Sequence, residues 1–162
     1  MSSHLIIVDK SSSFKFDRTD LEVLTTKDYI ARPELVRTRN PKIVNLSRAY
    51  SYLGAGYYCS LLAEARSHKV IPSVKTILDL SRKSIYRYAL AELEELLKRR
   101  LHKMAQPPEA SFTLYSFFGS ADDRRFQDLT RRTFDLFRCP MLKIQIRLKD
   151  DWHIHSLQPL AL

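Results

Sequence analysis

Short apolar runs and helical stripes alternate along most of this chain. Leu5 to Val8 is an apolar run that stops at Asp9 and suits a buried strand, and the polar stretch Lys10 to Asp20 reads as a loop. Leu21 to Thr25 predicts a second strand. Thr26 is placed to cap a short helix over Lys27 to Ile30, which Pro33 limits. Asn40-Pro41 introduces a third strand, Lys42 to Leu46. Tyr57 to His68 then carries Leu61, Leu62 and Ala65 as an apolar stripe at helical spacing, and Val70 with Ile71 makes a fourth strand ended by Pro72.

Ser73 is expected to cap a helix through Leu80, and Ser84 a longer one in which Ile85, Ala89, Leu93, Leu96, Leu97 and Leu101 form the inward face. Ala105 to Ala110, with Pro107-Pro108, reads as a loop. Phe112 to Phe118 reads as a strand and Gly119 as a turn. Ser120 with Asp123 resembles a capping box, opening a helix over Ala121 to Phe137 with Phe126, Leu129, Thr133, Leu136 and Phe137 inward. The clearest strand signal comes last: Leu142, Ile144, Ile146 and Leu148 alternate with Lys143, Gln145, Arg147 and Lys149, turn at Asp150-Asp151, and return as Trp152 to Leu157. The pattern predicts an α/β fold, a mainly parallel sheet flanked by helices with a C-terminal antiparallel hairpin. In such sheets chemistry gathers at the carboxyl ends of strands, here the connections after Asp9, Leu46 and Phe118.

Composition narrows the function more than the fold. The 162 residues suit a single domain over 1–162, and 44% hydrophobic with 28% charged residues is an ordinary globular balance. No apolar run reaches the ~20 residues needed to span a bilayer. The N-terminus has no basic flank and no cleavage site, so a cytoplasmic location is expected. Cys59 and Cys139 stand alone, which excludes a disulfide framework and a Cys-rich zinc site. The three glycines, Gly54, Gly56 and Gly119, cannot build a dinucleotide fingerprint or a phosphate loop.

Two of those glycines and four of the eight tyrosines fall in one strand-to-helix junction, residues 45–66. Glycine permits positive φ, and a helix starting near Gly56 offers free N–H groups to an anion. Arg48 adds a bidentate grip on a carboxylate or phosphate, and the tyrosines offer flat faces with polar tips. The competing reading is a structural elbow, with the tyrosines packed on the core and Glu64 paired to a nearby arginine.

The junction resembles the signature of the RimK-like ATP-grasp N-terminal domain. Asn45, Leu46, Arg48, Tyr50, Tyr52, Gly56, Tyr57, Tyr58, Ser60 to Arg66, His68, Pro72 and Ser73 stand at that family's pattern positions. Leu53-Gly54-Ala55 departs from the more polar turn of the pattern, and Ser67 stands where glycine is usual. The resemblance implies Rossmann-like, pre-ATP-grasp layering and an accessory role beside a catalytic module that joins a carboxylate to an amine. ATP and Mg²⁺ are then expected on that ATP-grasp module, supplied in cis or in trans, with no cofactor bound by this domain alone. The chain itself is expected to be non-catalytic. Asn45, Arg48, Tyr50, Tyr52, Gly54, Gly56, Tyr57, Tyr58, Ser60, Glu64 and Arg66 become candidate residues for an acidic or amino-acid-like substrate.

The net charge of +9 raises a rival reading, a free-standing nucleic-acid- or protein-binding module. Its carrier would be Arg124, Arg125, Arg131, Arg132 and Arg138 in the 121–138 segment. A solvated or docking face explains these arginines better, as it does Lys98-Arg99-Arg100 near a helix end, and no aromatic RNA-binding signature accompanies them. His153 and His155 share a side of their strand but lack a third metal ligand. His68 is placed to cap the signature helix. A homo-oligomer stays open.

Overall fold

The structure is a computed structural model, which describes residues 4–15, 21–37, 39–48 and 50–160. The part of the predicted Lys10–Asp20 loop from residue 16 on lies outside the described residues, as do Ala49 of the junction and Met1 to Ser3. The chain forms two compact units, one up to Leu78 and the other over Asp79–Leu160.

The first unit holds the predicted parallel sheet. Strands β1 (His4–Val8), β2 (Glu22–Thr25), β3 (Lys42–Asn45) and β4 (Lys69–Ile71) lie in the order β2-β1-β3-β4, all parallel. Helices α1 (Thr26–Ala31) and α2 (Ala55–Ala65) pack Tyr29, Cys59 and Ala63 onto Leu5, Ile7 and Ile43. The α1 cap is Thr25 rather than Thr26: its hydroxyl accepts from the Asp28 backbone N–H at 3.1 Å, leaving Thr26 to turn into the core. The buried side of α2 is Gly56, Tyr57, Cys59, Ser60 and Ala63, whereas Leu61 and Ala65 of the predicted stripe are exposed.

The predicted antiparallel hairpin, β7 (Met141–Leu148) with β8 (Trp152–Pro159), belongs to a separate four-stranded sheet in the second unit. Strand β5 (Ser111–Phe117) pairs with β7 and with the two-residue β6 (Ser120–Ala121), giving the order β6-β5-β7-β8. Helices α3 (Val74–Ser81), α4 (Lys83–His102) and α5 (Gln127–Phe137) follow the predicted order, with two corrections. Ser73 caps α3 as expected, its Oγ accepting from Thr76 N at 3.1 Å. No side chain caps α4, so Ser84 does not; Leu93, Leu97 and Leu101 are buried and Ala89 and Leu96 pack against the core as expected, but Ile85 is exposed and Tyr86 and Leu90 are buried instead. Ser120 is in a strand rather than a helix cap, and Asp123 instead accepts from Arg125 N at the head of a 3-10 turn that precedes α5. Phe126, Leu129, Thr133 and Phe137 are buried as expected, while Leu136 is exposed.

Two backbone positions explain local sequence choices. Phe118 and Gly119 both have positive φ (52° and 83°), the two-residue hairpin turn that joins β5 to β6. A Cβ on Gly119 would lie 3.1 Å from Cβ of Phe134, so a side chain there would be crowded as well as strained in φ. In β8, the edge strand, three α4 side chains occupy backbone groups: Glu94 accepts from Ile154 N (3.0 Å), Tyr86 Oη accepts from Leu157 N (3.4 Å), and Lys83 donates to the His155 carbonyl (2.6 Å).

Helix α2 ends in a Schellman motif. His68 N bonds Ala63 O and Ser67 N bonds Glu64 O, both at 2.9 Å, with Ser67 left-handed at φ 60°. This is the position where the family pattern has glycine. Ser67→Gly is therefore expected to stabilise the protein by about 0.5–1 kcal/mol, because glycine meets no Cβ penalty in that conformation. Urea denaturation should show a higher midpoint, and a lower one would contradict the assignment.

Candidate functional site

In the first unit the chain goes from β1 to β2 on one side and then to β3 on the other, so the switch point lies at the carboxyl ends of β1 and β3. Asp9, Thr26 and Ser47 meet there. Thr26 Oγ1 lies 3.2 Å from Val8 O and 3.1 Å from Asp9 Oδ1, both acceptors, and 2.7 Å from Ser47 Oγ. Its single proton must go to the first two, so Ser47 donates to Thr26. The other carboxylate oxygen of Asp9 accepts from Arg48 N at 3.0 Å. Sequence reasoning named the connection after Asp9 but missed Ser47 and misassigned Thr26, because only the strand order brings the three together.

Asn45 joins this network to α2. Its Nδ2 donates to Gly56 O (2.8 Å) and Ser60 Oγ (2.9 Å), and its Oδ1 accepts from Ser47 N (3.1 Å). Ser60 Oγ passes its own proton to Pro72 O at 2.7 Å, which reaches the end of β4. Tyr50 Oη donates to the Asn45 carbonyl. Asn45, Ser47 and Ser60 are fully buried, and no buried side-chain N or O among the described residues lacks a partner.

The remaining predicted site residues divide into two groups. Arg48, Tyr52 and Tyr58 reach solvent, with Tyr52 edge-on to Tyr57 at 5.3 Å and Tyr57 edge-on to Tyr58 at 5.8 Å. Beside them α2 begins at Ala55, with Gly54 as its N-cap, no side-chain cap bond and no acid in the first turn. Positive φ falls on Leu53 (63°) and not on Gly54 (−76°); what Gly54 provides is a cap position without a side chain to occupy the first helical N–H groups. Glu64 and Arg66 instead serve other helix ends. Glu64 Oε1 accepts from Val74 N (2.8 Å) at the start of α3, which replaces the expected pairing with an arginine. Arg66 donates to Tyr29 O (2.7 Å) and Ile30 O (3.3 Å) at the end of α1, with its guanidinium 4.9 Å from the Tyr29 ring centroid.

His68 contributes its backbone N–H to the helix end, while its ring Nδ1 meets Tyr29 Oη at 3.1 Å. Burial, then the charge of Arg66, hold its pKa below the usual 6.5. The ring shares this hydrogen bond with the buried Tyr29 hydroxyl, whose own pKa burial raises. Burial also pushes the thiols of Cys59 and Cys139 up to about 12, which makes both poor nucleophiles. Among the described residues no group of three or more His, Cys, Asp or Glu is placed to hold a metal, and no helix is long and apolar enough to cross a membrane.

A parallel sheet with a polar switch point places the first unit in the class of open α/β sheets whose ligands sit at the carboxyl edge. The chain belongs to the RimK-like ATP-grasp N-terminal domain family, whose model matches residues 26–162 and so runs through both units. Membership makes it an N-terminal accessory domain of RimK-type ATP-grasp proteins and implies association with an ATP-grasp module. No curated protein matches the chain.

Asn45→Ala should destabilise the fold by about 2–4 kcal/mol, since it removes three buried bonds and leaves the buried Ser47 N–H without its acceptor. A loss below about 1 kcal/mol in urea denaturation would count against its central role. For His68 the unfolded chain binds the proton more tightly than the folded one. Stability should thus fall as pH drops from above 6.5 through the lower native pKa of His68, and then level off for this group. Thermal melts from pH 8 to pH 5 should show a smaller decline in His68→Gln.

Proposed function

We propose that the two units together form one accessory domain, residues 1–162, that binds an acidic group of a ligase substrate or product and docks on an ATP-grasp module. The observation that carries the binding part is the uncapped start of α2. Its first N–H groups have neither a capping side chain nor a first-turn acid, and Asn45 holds that turn against the end of β3, where Arg48 follows. Arg48, Tyr52, Tyr57, Tyr58, Gly54 and Gly56 would contact the ligand, with Asn45, Tyr50, Ser60, Glu64 and Arg66 positioning the elements that carry them. The catalytic module would supply ATP, Mg²⁺ and amide-bond chemistry, and this domain no cofactor of its own.

The nucleic-acid alternative draws less support. Arg125, Arg132 and Arg138 are ion-paired with Asp123 (2.7 Å), Glu92 (2.6 Å) and Asp135 (3.9 Å), so much of the arginine charge is already offset on the surface.

In the protein carrying its ATP-grasp module, Arg48→Ala should raise KM for the acidic substrate by about tenfold, the loss of one charged hydrogen bond, with the fold intact. Steady-state kinetics on the purified variant make the measurement. Unchanged KM and kcat with an intact fold would dismiss the binding role.

A further inference from the structure

The second unit carries a groove that the signature does not account for. It lies between the first half of α4 and strand β8, has a volume of about 680 Å³, and is lined on its polar side by Lys83, Ser84, Arg87, Glu94 and His153. That volume suits a small organic ligand. Leu90 and Ile154 supply apolar wall.

Charge in and around this groove is unbalanced. Its one acid, Glu94, is committed to the backbone N–H of Ile154 at 3.0 Å. Lys83 donates to a neutral carbonyl, that of His155, and Arg87 has no ion-pair partner among the described residues. From β7, Arg147 pairs across the sheet with His153, and the His153 and His155 rings meet edge-on at 6.4 Å. Asp151 in the β7–β8 turn is held by Lys98 at 3.1 Å. Helix α4 begins at Lys83 with no side-chain cap and no acid in its first turn, so its positive end adds to the same field.

We propose that this groove binds a small polyanion bearing closely spaced anionic oxygens, of the phosphate-ester or polycarboxylate class. Lys83 and Arg87 provide charge, the Ser84 hydroxyl a directional donor, and the apolar wall room for a carbon skeleton. Such a ligand offsets the excess of cationic over anionic side chains in the groove, where Glu94 stands against Lys83 and Arg87. His155 feels the same cations, though burial acts on it more strongly. Burial, followed by the charges of Arg147, Lys83 and His153, holds its pKa below 6.5. A bound anion reverses the sign of the local field and raises it, so binding takes up a proton near and below 6.5 and weakens as pH rises through that range.

The test is a titration of the isotopically labelled protein with inorganic pyrophosphate and, in parallel, citrate, at low ionic strength and at pH 6 and pH 8. Amide shifts are expected at residues 83–87 and 153–155, stronger at pH 6, with a rise in the His155 imidazole pKa. Arg87→Glu should weaken binding at least about tenfold, whereas the same reversal at Arg124, outside the groove, should not. The arm that binds more tightly distinguishes phosphate from carboxylate chemistry. Absence of shifts in the groove with both probes overturns the proposal. So do shifts confined to residues 48–58, and so does equal weakening by Arg124→Glu, which would reduce the effect to net charge.

Discussion

The buried amide of Asn45 holds the carboxyl edge of the parallel sheet in shape. Its two donors face Gly56 O and Ser60 Oγ and its acceptor faces Ser47 N, so only one amide orientation satisfies all three. Through Ser47 the network continues to Thr26 at the start of α1 and Asp9 at the end of β1; through Ser60 it continues to Pro72 at the end of β4. Every strand end of this sheet is thus tied, directly or through one or two hydroxyls, to one side chain in the middle. In a low-dielectric setting such a network is rigid when complete and costly when broken.

Most of what makes residues 45–66 recognisable as a signature is architecture. Glu64 places negative charge at the start of α3 and Arg66 places positive charge at the end of α1, each opposite in sign to the helix end it meets. A short helix can therefore organise two others through residues that face away from its own sheet. What the signature leaves facing solvent is the strip from Arg48 through Tyr52 to the uncapped turn of α2 and Tyr58. Elbow and proposed site share one segment, divided by the face each residue takes.

Element order was legible because period-2 and period-3.6 patterns are local. What depended on distant partners was not. Ser120 with Asp123 reads locally as a helix start, yet pairing with β5 draws Ser120 and Ala121 into a strand and leaves Asp123 to cap a 3-10 turn. In α4, spacings of three and four residues are satisfied by two neighbouring faces, and the one used buries Tyr86, whose hydroxyl accepts from Leu157 N. That the C-terminal hairpin belongs to its own sheet with β5 was hidden for the same reason, since the alternation in 142–149 sets a strand's faces but not its neighbour. At the site, the polar groups of Asn45, Arg48 and the tyrosines were visible in sequence, whereas Ser47 acquires meaning only once β1 and β3 are adjacent.

The three α4 side chains bonded along β8 have a consequence for assembly. An edge strand normally offers its free backbone groups as a template for another strand. Here Glu94, Tyr86 and Lys83 occupy three of them, with a carboxylate, a phenol and an ammonium from one helix, which blunts the edge of the sheet on that side. Growth by strand addition at β8 would require α4 to let go. Whatever approaches this flank must therefore be recognised through side-chain charge and shape, a kind of contact that salt and pH can tune and that backbone pairing would have made indiscriminate.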